Sequence, residues 1–129
     1  MASRPAAGYF GAAALPRRMD CEAAREYYRA IDEDDYAALS ALLADGFVHE
    51  RPDRTIEGRA AFVSFMRDGR PATDTEHVLE AVYKATADDR VAAEGRLLAP
   101  DGTDWFGFVD IFLVGDDGIA RLRTYTDGG

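Results

Sequence analysis

The first half of the chain carries apolar residues at the spacing of amphipathic helices. From Asp20 onward they recur every three to four positions, and this aspartate can cap a helix by accepting a backbone N–H bond. The predicted apolar face consists of Ala23, Ala24, Tyr27, Tyr28 and Ile31. The acidic run at 32–35 ends this helix and caps a second one, whose apolar stripe is Tyr36, Leu39, Leu42 and Leu43.

Glycine and proline divide the chain that follows. Gly46 ends the second predicted helix, and residues 47–51 read as a short strand. A third helix is predicted after Gly58, closed by Gly69 and Pro71. Its apolar positions are Ala61, Phe62, Phe65 and Met66.

From residue 75 onward the hydrophobic period changes to that of strands. Four stretches are separated by turns rich in Asp and Gly, and they span residues 76–87, 90–99, 103–114 and 119–126. Three helices followed by a four-strand meander predict an α+β fold, because a wound parallel sheet needs a helix between successive strands. We expect the strands to curl around the helices into a cone that is open at one end.

Composition narrows the class of protein. The 129 residues are 47% hydrophobic, enough for one domain with a core, and the net charge is −9. Such acidity disfavours nucleic acid and anionic membranes as partners, because both are negatively charged. Among the 15 basic residues, Lys84 is the one lysine, a usage typical of salt-accumulating microbes. Cys21 is the single cysteine, so neither an intramolecular disulfide nor a cysteine metal cluster is expected.

The N-terminus differs from the rest. Residues 1–18 contain no acidic side chain, and we interpret them as an extension or a misassigned start, with the domain spanning residues 19–127. An export signal is the alternative, since residues 5–15 are weakly apolar. Signal peptides place their positive charge before the apolar stretch, whereas Arg17 and Arg18 follow it, so we expect a cytoplasmic protein.

Six short motifs carry a family resemblance. They are the pair Tyr27-Tyr28 and the segments LLAD at 42–45, HERP at 49–52, IEGR at 56–59, FVDIF at 108–112 and DGI at 117–119. In these the chain resembles the SnoaL-like and ketosteroid-isomerase-like proteins of the nuclear transport factor 2 superfamily. The resemblance implies an NTF2-like cone, with three N-terminal helices packed on a strongly curved, mainly antiparallel sheet. Because this scaffold hosts isomerases, cyclases, dehydratases and non-enzymes, it implies no single reaction.

The comparison with ketosteroid isomerase suggests roles for individual residues. That enzyme uses an aspartate base and an oxyanion hole made of a tyrosine and a protonated aspartate. By position, Tyr27 matches the tyrosine and Asp110 the protonated aspartate. The position of the base holds Arg51, whose guanidinium cannot accept a proton. Glu50 faces the other side of the strand unless a bulge redirects it.

Asp110 is unusual because of its neighbours. By the period of two, Phe106, Phe108 and Phe112 share its strand face. A carboxyl group among phenyl rings must keep its proton or find a cation, since an isolated buried charge is costly. The candidate cations are Arg51, Arg96, Arg121 and Arg123. The alternative to a role in the pocket is that Asp110 forms a purely structural ion pair or a backbone hydrogen bond.

His49 and His77 are the two histidines, and either is a candidate proton carrier near neutral pH. Catalytic candidates are therefore Asp110, Tyr27, His49 and His77. Ligand-binding candidates are Arg51 as an anion anchor, with Glu50, Tyr28, Phe108, Phe106, Trp105 and Arg123. For each, a structural role in the core or on the surface is the alternative.

Together these residues predict a pocket for a small, largely apolar ligand with one polar or anionic end. We expect no metal and no cofactor, and acid–base chemistry of the isomerase, cyclase or dehydratase kind. The alternatives are a non-catalytic ligand-binding module and a homodimeric interaction module. The resemblance to the family implies a homodimer as the assembly of this chain.

Overall fold

The computed structural model describes residues 17–70 and 72–128 of the chain. Residues 1–16 of the predicted extension lie outside them. The helices are α1 (Arg17–Asp32), α2 (Tyr36–Leu42) and α3 (Arg59–Ser64), and α3 continues into a π-helical turn (Phe65–Gly69). None of the helices in the described part of the chain is long and apolar enough to cross a membrane.

Six strands form one sheet. They are β1 (Leu43–Glu50), β2 (Thr55–Glu57), β3 (Glu76–Lys84), β4 (Arg90–Leu98), β5 (Asp104–Gly115) and β6 (Gly118–Thr126). Their order is β2-β1-β6-β5-β4-β3, and every pair is antiparallel except β1 with β6. The predicted α+β cone is confirmed, and its sheet is not closed.

The core lies between the helices and the inner face of the sheet. On β5, Phe108, Asp110, Phe112 and Val114 are buried, which is the alternation expected of a strand with one covered face. From α1, the predicted face of Ala24, Tyr27, Tyr28 and Ile31 is buried against it. Phe47, Phe62, Phe112 and Leu39 are among the side chains that solvent does not reach.

Several element boundaries differ from the predictions. Leu43 begins β1, where it pairs with Ile119 of β6, instead of extending α2 towards Gly46. The hydrophobic pattern could not separate these alternatives, because Leu43 is buried in either element. The short strand β2 was not predicted, β3 ends at Lys84 and not at residue 87, and α1 begins at Arg17. The predicted cap of α2 is confirmed, since Asp35 accepts the N–H of Ala38 at 3.1 Å.

Candidate functional site

A cavity of about 370 Å³ lies between α1, the π-helical turn and the inner face of the sheet. This volume is near the lower end of the range for small-molecule pockets. The apolar side chains that line it include Ile31, Met66, Leu97, Trp105, Phe106 and Phe108. The polar ones include Tyr27, His49, Arg51, Asp53, Arg70, His77, Asp110 and Thr124. An apolar wall with a few convergent polar groups is the usual composition of a ligand site.

Asp110 is buried in the wall and held by two hydroxyl groups. Tyr28 Oη donates to Oδ2 and Thr124 Oγ1 donates to Oδ1, each at 2.5 Å. Burial raises the pKa of Asp110 above its usual value, and the hydrogen bonds from Thr124 and Tyr28 oppose this only in part. The carboxyl group therefore holds a proton at a pH where a solvated aspartate has lost it.

None of the four candidate arginines forms an ion pair with Asp110 among the described residues. Its direct partners among the described residues are the neutral side chains Tyr28 and Thr124, and Arg51 acts on it only at a distance. The other candidate arginines form ion pairs elsewhere, Arg96 with Asp104 and Asp127, and Arg121 and Arg123 with Glu50. Each of these pairs is at least partly exposed, so water still solvates the charged groups in part.

His49 continues the chain of hydrogen bonds. Its Nε2 lies 2.8 Å from Thr124 Oγ1, whose own hydrogen is donated to Asp110. The threonine oxygen therefore accepts from the ring, which requires the tautomer with hydrogen on Nε2. Burial, and then the charge of Arg51, lowers the pKa of His49 to about 3. The ring is neutral at ordinary pH, so its geometry suits orientation of Thr124 better than transport of a proton.

His77 is held differently, by an acidic residue at the end of α1. Asp32 accepts the backbone N–H of His77 at 2.9 Å, and its other oxygen lies 2.7 Å from Nδ1. The imidazole packs between the rings of Tyr28 and Phe108, with centroids 5.0 and 5.5 Å away. Asp32 thus fixes the orientation of the ring by accepting from Nδ1, leaving Nε2 as the nitrogen free of protein hydrogen bonds among the described residues.

The two adjacent tyrosines of α1 differ in their position relative to the cavity. Tyr28 bonds Asp110 but does not line the cavity, whereas Tyr27 lines it and packs on Tyr28 edge to face at 5.1 Å. Burial raises the pKa of both phenols well above the usual value, with the charge of Asp110 adding to the effect. Both stay protonated and can donate. The phenol beside Asp110 is therefore Tyr28, while Tyr27 is the one that a cavity occupant meets.

A β-bulge shapes the aromatic wall. Leu97 pairs with Phe106 and Leu98 with Asp104, which leaves Trp105 as an extra residue in β5. Consecutive residues of a regular strand point to opposite faces, but here both Trp105 and Phe106 line the cavity. Trp105 remains about half exposed, as expected of a residue at the mouth.

Three predicted ligand-binding residues do not line the cavity, namely Glu50, Arg123 and, as described above, Tyr28. Glu50 forms ion pairs with Arg123 at 2.9 Å and Arg121 at 2.7 Å. Because His49 points inward, the strand period turns Glu50 outward, and no bulge reverses it. The sequence reasoning missed other residues at or behind the wall, namely Asp32, Met66, Arg70 and Thr124. No local spacing marks them, since their partners come from distant segments.

The fold and this pocket define a class of cone-shaped, ligand-binding α+β domains. Residues 24–122 match the SnoaL-like domain family, and the chain belongs to that family. No curated protein sequence matches the chain.

Solved structures agree in fold. An NTF2-like protein of unknown function from Mesorhizobium loti is 26% identical, with a TM-score of 0.71 over 87% of this chain and 93% of the other. A proposed polyketide cyclase from Xanthomonas campestris is 25% identical, with a TM-score of 0.70 over 86% and 92%. A proposed ketosteroid isomerase from Kribbella flavida is 20% identical, with a TM-score of 0.76 over 88% and 81%, and supports the fold alone.

Proposed function

We propose that this protein binds a small, largely apolar carbonyl compound and catalyses an isomerisation, cyclisation or dehydration through an enol-type intermediate. The observation that carries the proposal is Asp110, a carboxyl group of raised pKa in the cavity wall, held by two hydroxyl donors. We place this activity in the cytoplasm, in keeping with the sequence expectation.

Asp110 would act as a hydrogen-bond donor to the carbonyl oxygen. His49 donates to Thr124, which in turn donates to Asp110, and Tyr28 donates to the other oxygen. Because Tyr28 and Thr124 both donate to Asp110, neither of them accepts the carboxyl proton. This proton can therefore be donated to a molecule in the cavity. A donor placed where negative charge develops stabilises the enolate that forms.

His77 would be the base that removes a proton from the carbon next to the carbonyl group. Its Nδ1 is held by Asp32, so Nε2 can accept a proton from the carbon next to the carbonyl. The carboxylate of Asp32 stabilises the imidazolium that results. This arrangement supplies a base although Arg51 occupies the position of the family's usual one.

The neighbours' names are compatible with this chemistry. The Xanthomonas campestris protein is described as a proposed polyketide cyclase and the Kribbella flavida protein as a proposed ketosteroid isomerase. Both names denote reactions next to a carbonyl group.

The test is binding and proton exchange with small hydrophobic ketones and lactones. Trp105 fluorescence and a thermal shift report binding, and a ligand at a hundred times its Kd stabilises the fold by ~2.7 kcal/mol. Exchange of the ketone's α-hydrogens in D₂O, followed by NMR, reports catalysis. Asp110→Asn should weaken binding about tenfold or more, because the amide nitrogen cannot accept from Tyr28 or Thr124, and the loss of one of these hydrogen bonds moves the donor out of position.

His77→Gln should leave binding nearly intact and abolish exchange. Asp101→Asn, in the exposed β4–β5 turn, is the matched control and should behave as wild type. Ketone binding that is equally strong in Asp110→Asn would contradict the proposal. Binding with no exchange in wild type would favour the non-catalytic ligand-binding module.

We also propose a homodimer. The outer face of the sheet exposes five large apolar side chains, Val78, Tyr83, Val109, Leu113 and Tyr125. Such a face is typical of an interface between subunits. Light scattering should give about twice 14.1 kDa for wild type, and Val109→Asp should give the monomer mass. A monomeric wild type would contradict this assembly.

A further inference from the structure

Arg70 is a nearly buried guanidinium in the wall of the cavity. Its side chain is 7% exposed. Nε donates to the carbonyl oxygen of Met66 at 2.6 Å, and Nη2 donates to Asp34 Oδ1 and Tyr36 Oη, both at 3.2 Å. Nη1 has no hydrogen bond with any described residue. The guanidinium is thus fixed in place with donors left for a cavity occupant.

The charge of Arg70 is only partly balanced. Asp34, its one carboxylate partner among the described residues, is 50% exposed, so solvent screens that pair. Arg51 lines the same cavity and is 33% exposed, and its contact with Asp53 is 3.4 Å, long for a charge-assisted hydrogen bond. The two carboxylates that face these arginines are therefore the more solvated members of their pairs.

The two guanidinium groups lie beside the same turn. Arg51 Cζ is 5.9 Å from the centre of the Phe65 ring in the π-helical turn, and Arg70 follows that turn and donates to the carbonyl oxygen of Met66 within it. Both charges also oppose the rise in the pKa of Tyr27 that burial causes. Arg70 directly follows the π-helical turn and Arg51 directly follows β1, so two separate parts of the chain bring positive charge to the lining of the same cavity. In a protein whose net charge is −9, these guanidinium groups are local positive charges that a ligand anion can recognise.

We propose that Arg70, together with Arg51, forms a carboxylate-binding subsite, so that the ligand is an oxo acid with an apolar body. Its carboxylate would lie on the two arginines beside Tyr27, and its carbonyl oxygen would face Asp110. A planar guanidinium matches a carboxylate in a two-point hydrogen bond, which a compact ammonium group does not. This assignment rests on the proposed function and names the substrate class of the same cavity.

The test compares three probes that share a naphthalene ring, namely 2-naphthoate, its methyl ester and 2-acetylnaphthalene. Wild type should bind the acid about tenfold or more tightly than the ester, since the ester lacks the charge and one acceptor oxygen. Arg70→Gln should remove this preference while changing the Kd of the acetyl compound by less than about twofold. Arg67→Gln is the matched control, because Arg67 lies in the turn that precedes Arg70, pairs with Asp68 and is exposed.

Equal binding of acid and ester by wild type, or equal weakening of all three probes in Arg70→Gln, would overturn the subsite. If Arg70→Gln does not fold, the preference of wild type for the acid and its loss in Arg51→Gln decide the question. Failure of the acetyl compound to bind counts against the proposed function, whereas the acid-to-ester ratio still tests the subsite.

Discussion

At the scale of single residues, the site depends on two buried groups that share the hydroxyl of Thr124. Burial disfavours the charged form of each, so it raises the pKa of Asp110 and lowers that of His49. The result is a chain of neutral hydrogen-bonding groups with one exchangeable proton at its cavity end. Each of the two residues therefore makes its own contribution to the pH dependence of stability.

Asp110→Asn tests the raised pKa of the carboxyl group. Folded wild type holds this proton more tightly than the unfolded chain, so its stability falls as pH rises from ~4 through the raised pKa. The variant cannot titrate there, and its Tm relative to wild type should increase between pH 4 and 8. Asp101→Asn should show no such increase between pH 4 and 8, because Thr103 holds the pKa of that exposed carboxylate below its usual value and its effect on stability lies below pH ~4. A flat difference for Asp110→Asn would contradict the shift.

His49→Gln tests the neutral imidazole. With a folded pKa of about 3, His49 contributes stability that is present above pH 6.5 and lost as pH falls toward 3. The Tm of wild type should therefore fall more steeply than that of the variant between pH 6.5 and 4. Nitrogen NMR at pH 5.5 should show a neutral ring protonated at Nε2. A titration midpoint of His49 between 6 and 7 would disprove the assignment.

At the scale of elements, the pairing of β3 with β4 admits no extra atom at Gly95. An added Cβ would lie 2.3 Å from the carbonyl oxygen of Val78 and 3.0 Å from the ring of Phe108. The register of the two strands shifts just beyond this point, between Leu79 and Ala81. The absence of a side chain at Gly95 thus leaves room for both the backbone of β3 and the ring of Phe108.

Gly95→Ala should destabilise the fold by about 2 kcal/mol or more, because the backbone of β3 has to move to relieve the overlap. Gly46→Ala is the matched control on β1, since nothing lies within 4 Å of its added carbon. Its effect should stay within ~0.5 kcal/mol. Urea unfolding measures both. A loss of stability that is equal in the two variants would show that the contact at Gly95 is not the cause.

At the scale of the whole molecule, excess negative charge opposes the fold. Most of the ion pairs are at least partly exposed and contribute little each, so repulsion among the acidic side chains dominates the response to salt. The urea midpoint should rise between 0.05 and 1 M KCl, because salt screens this repulsion. The increase should shrink near pH 4.5, where the net charge is smaller. A midpoint that is unchanged or lower in KCl would contradict the salt-adapted interpretation.

Local patterns in the sequence determined much of this protein. The faces of α1 and α3, the four long strands, the position of Asp110 among phenylalanines and the family motifs all follow from spacing within a few residues. Periodicity carries this information because the direction of a side chain along one helix or strand is a local property.

Only the tertiary structure decided which side chains form hydrogen bonds with one another and which reach the cavity. Tyr28 meets Asp110 across 82 positions, and Asp32 meets His77 across 45. Arg70 reaches the cavity through a π-helical turn, and a bulge turns Trp105 toward it. A hydrogen bond depends on distances of a few tenths of an ångström, which the packing of remote elements sets, so no pattern along the chain could choose Tyr28 over Tyr27.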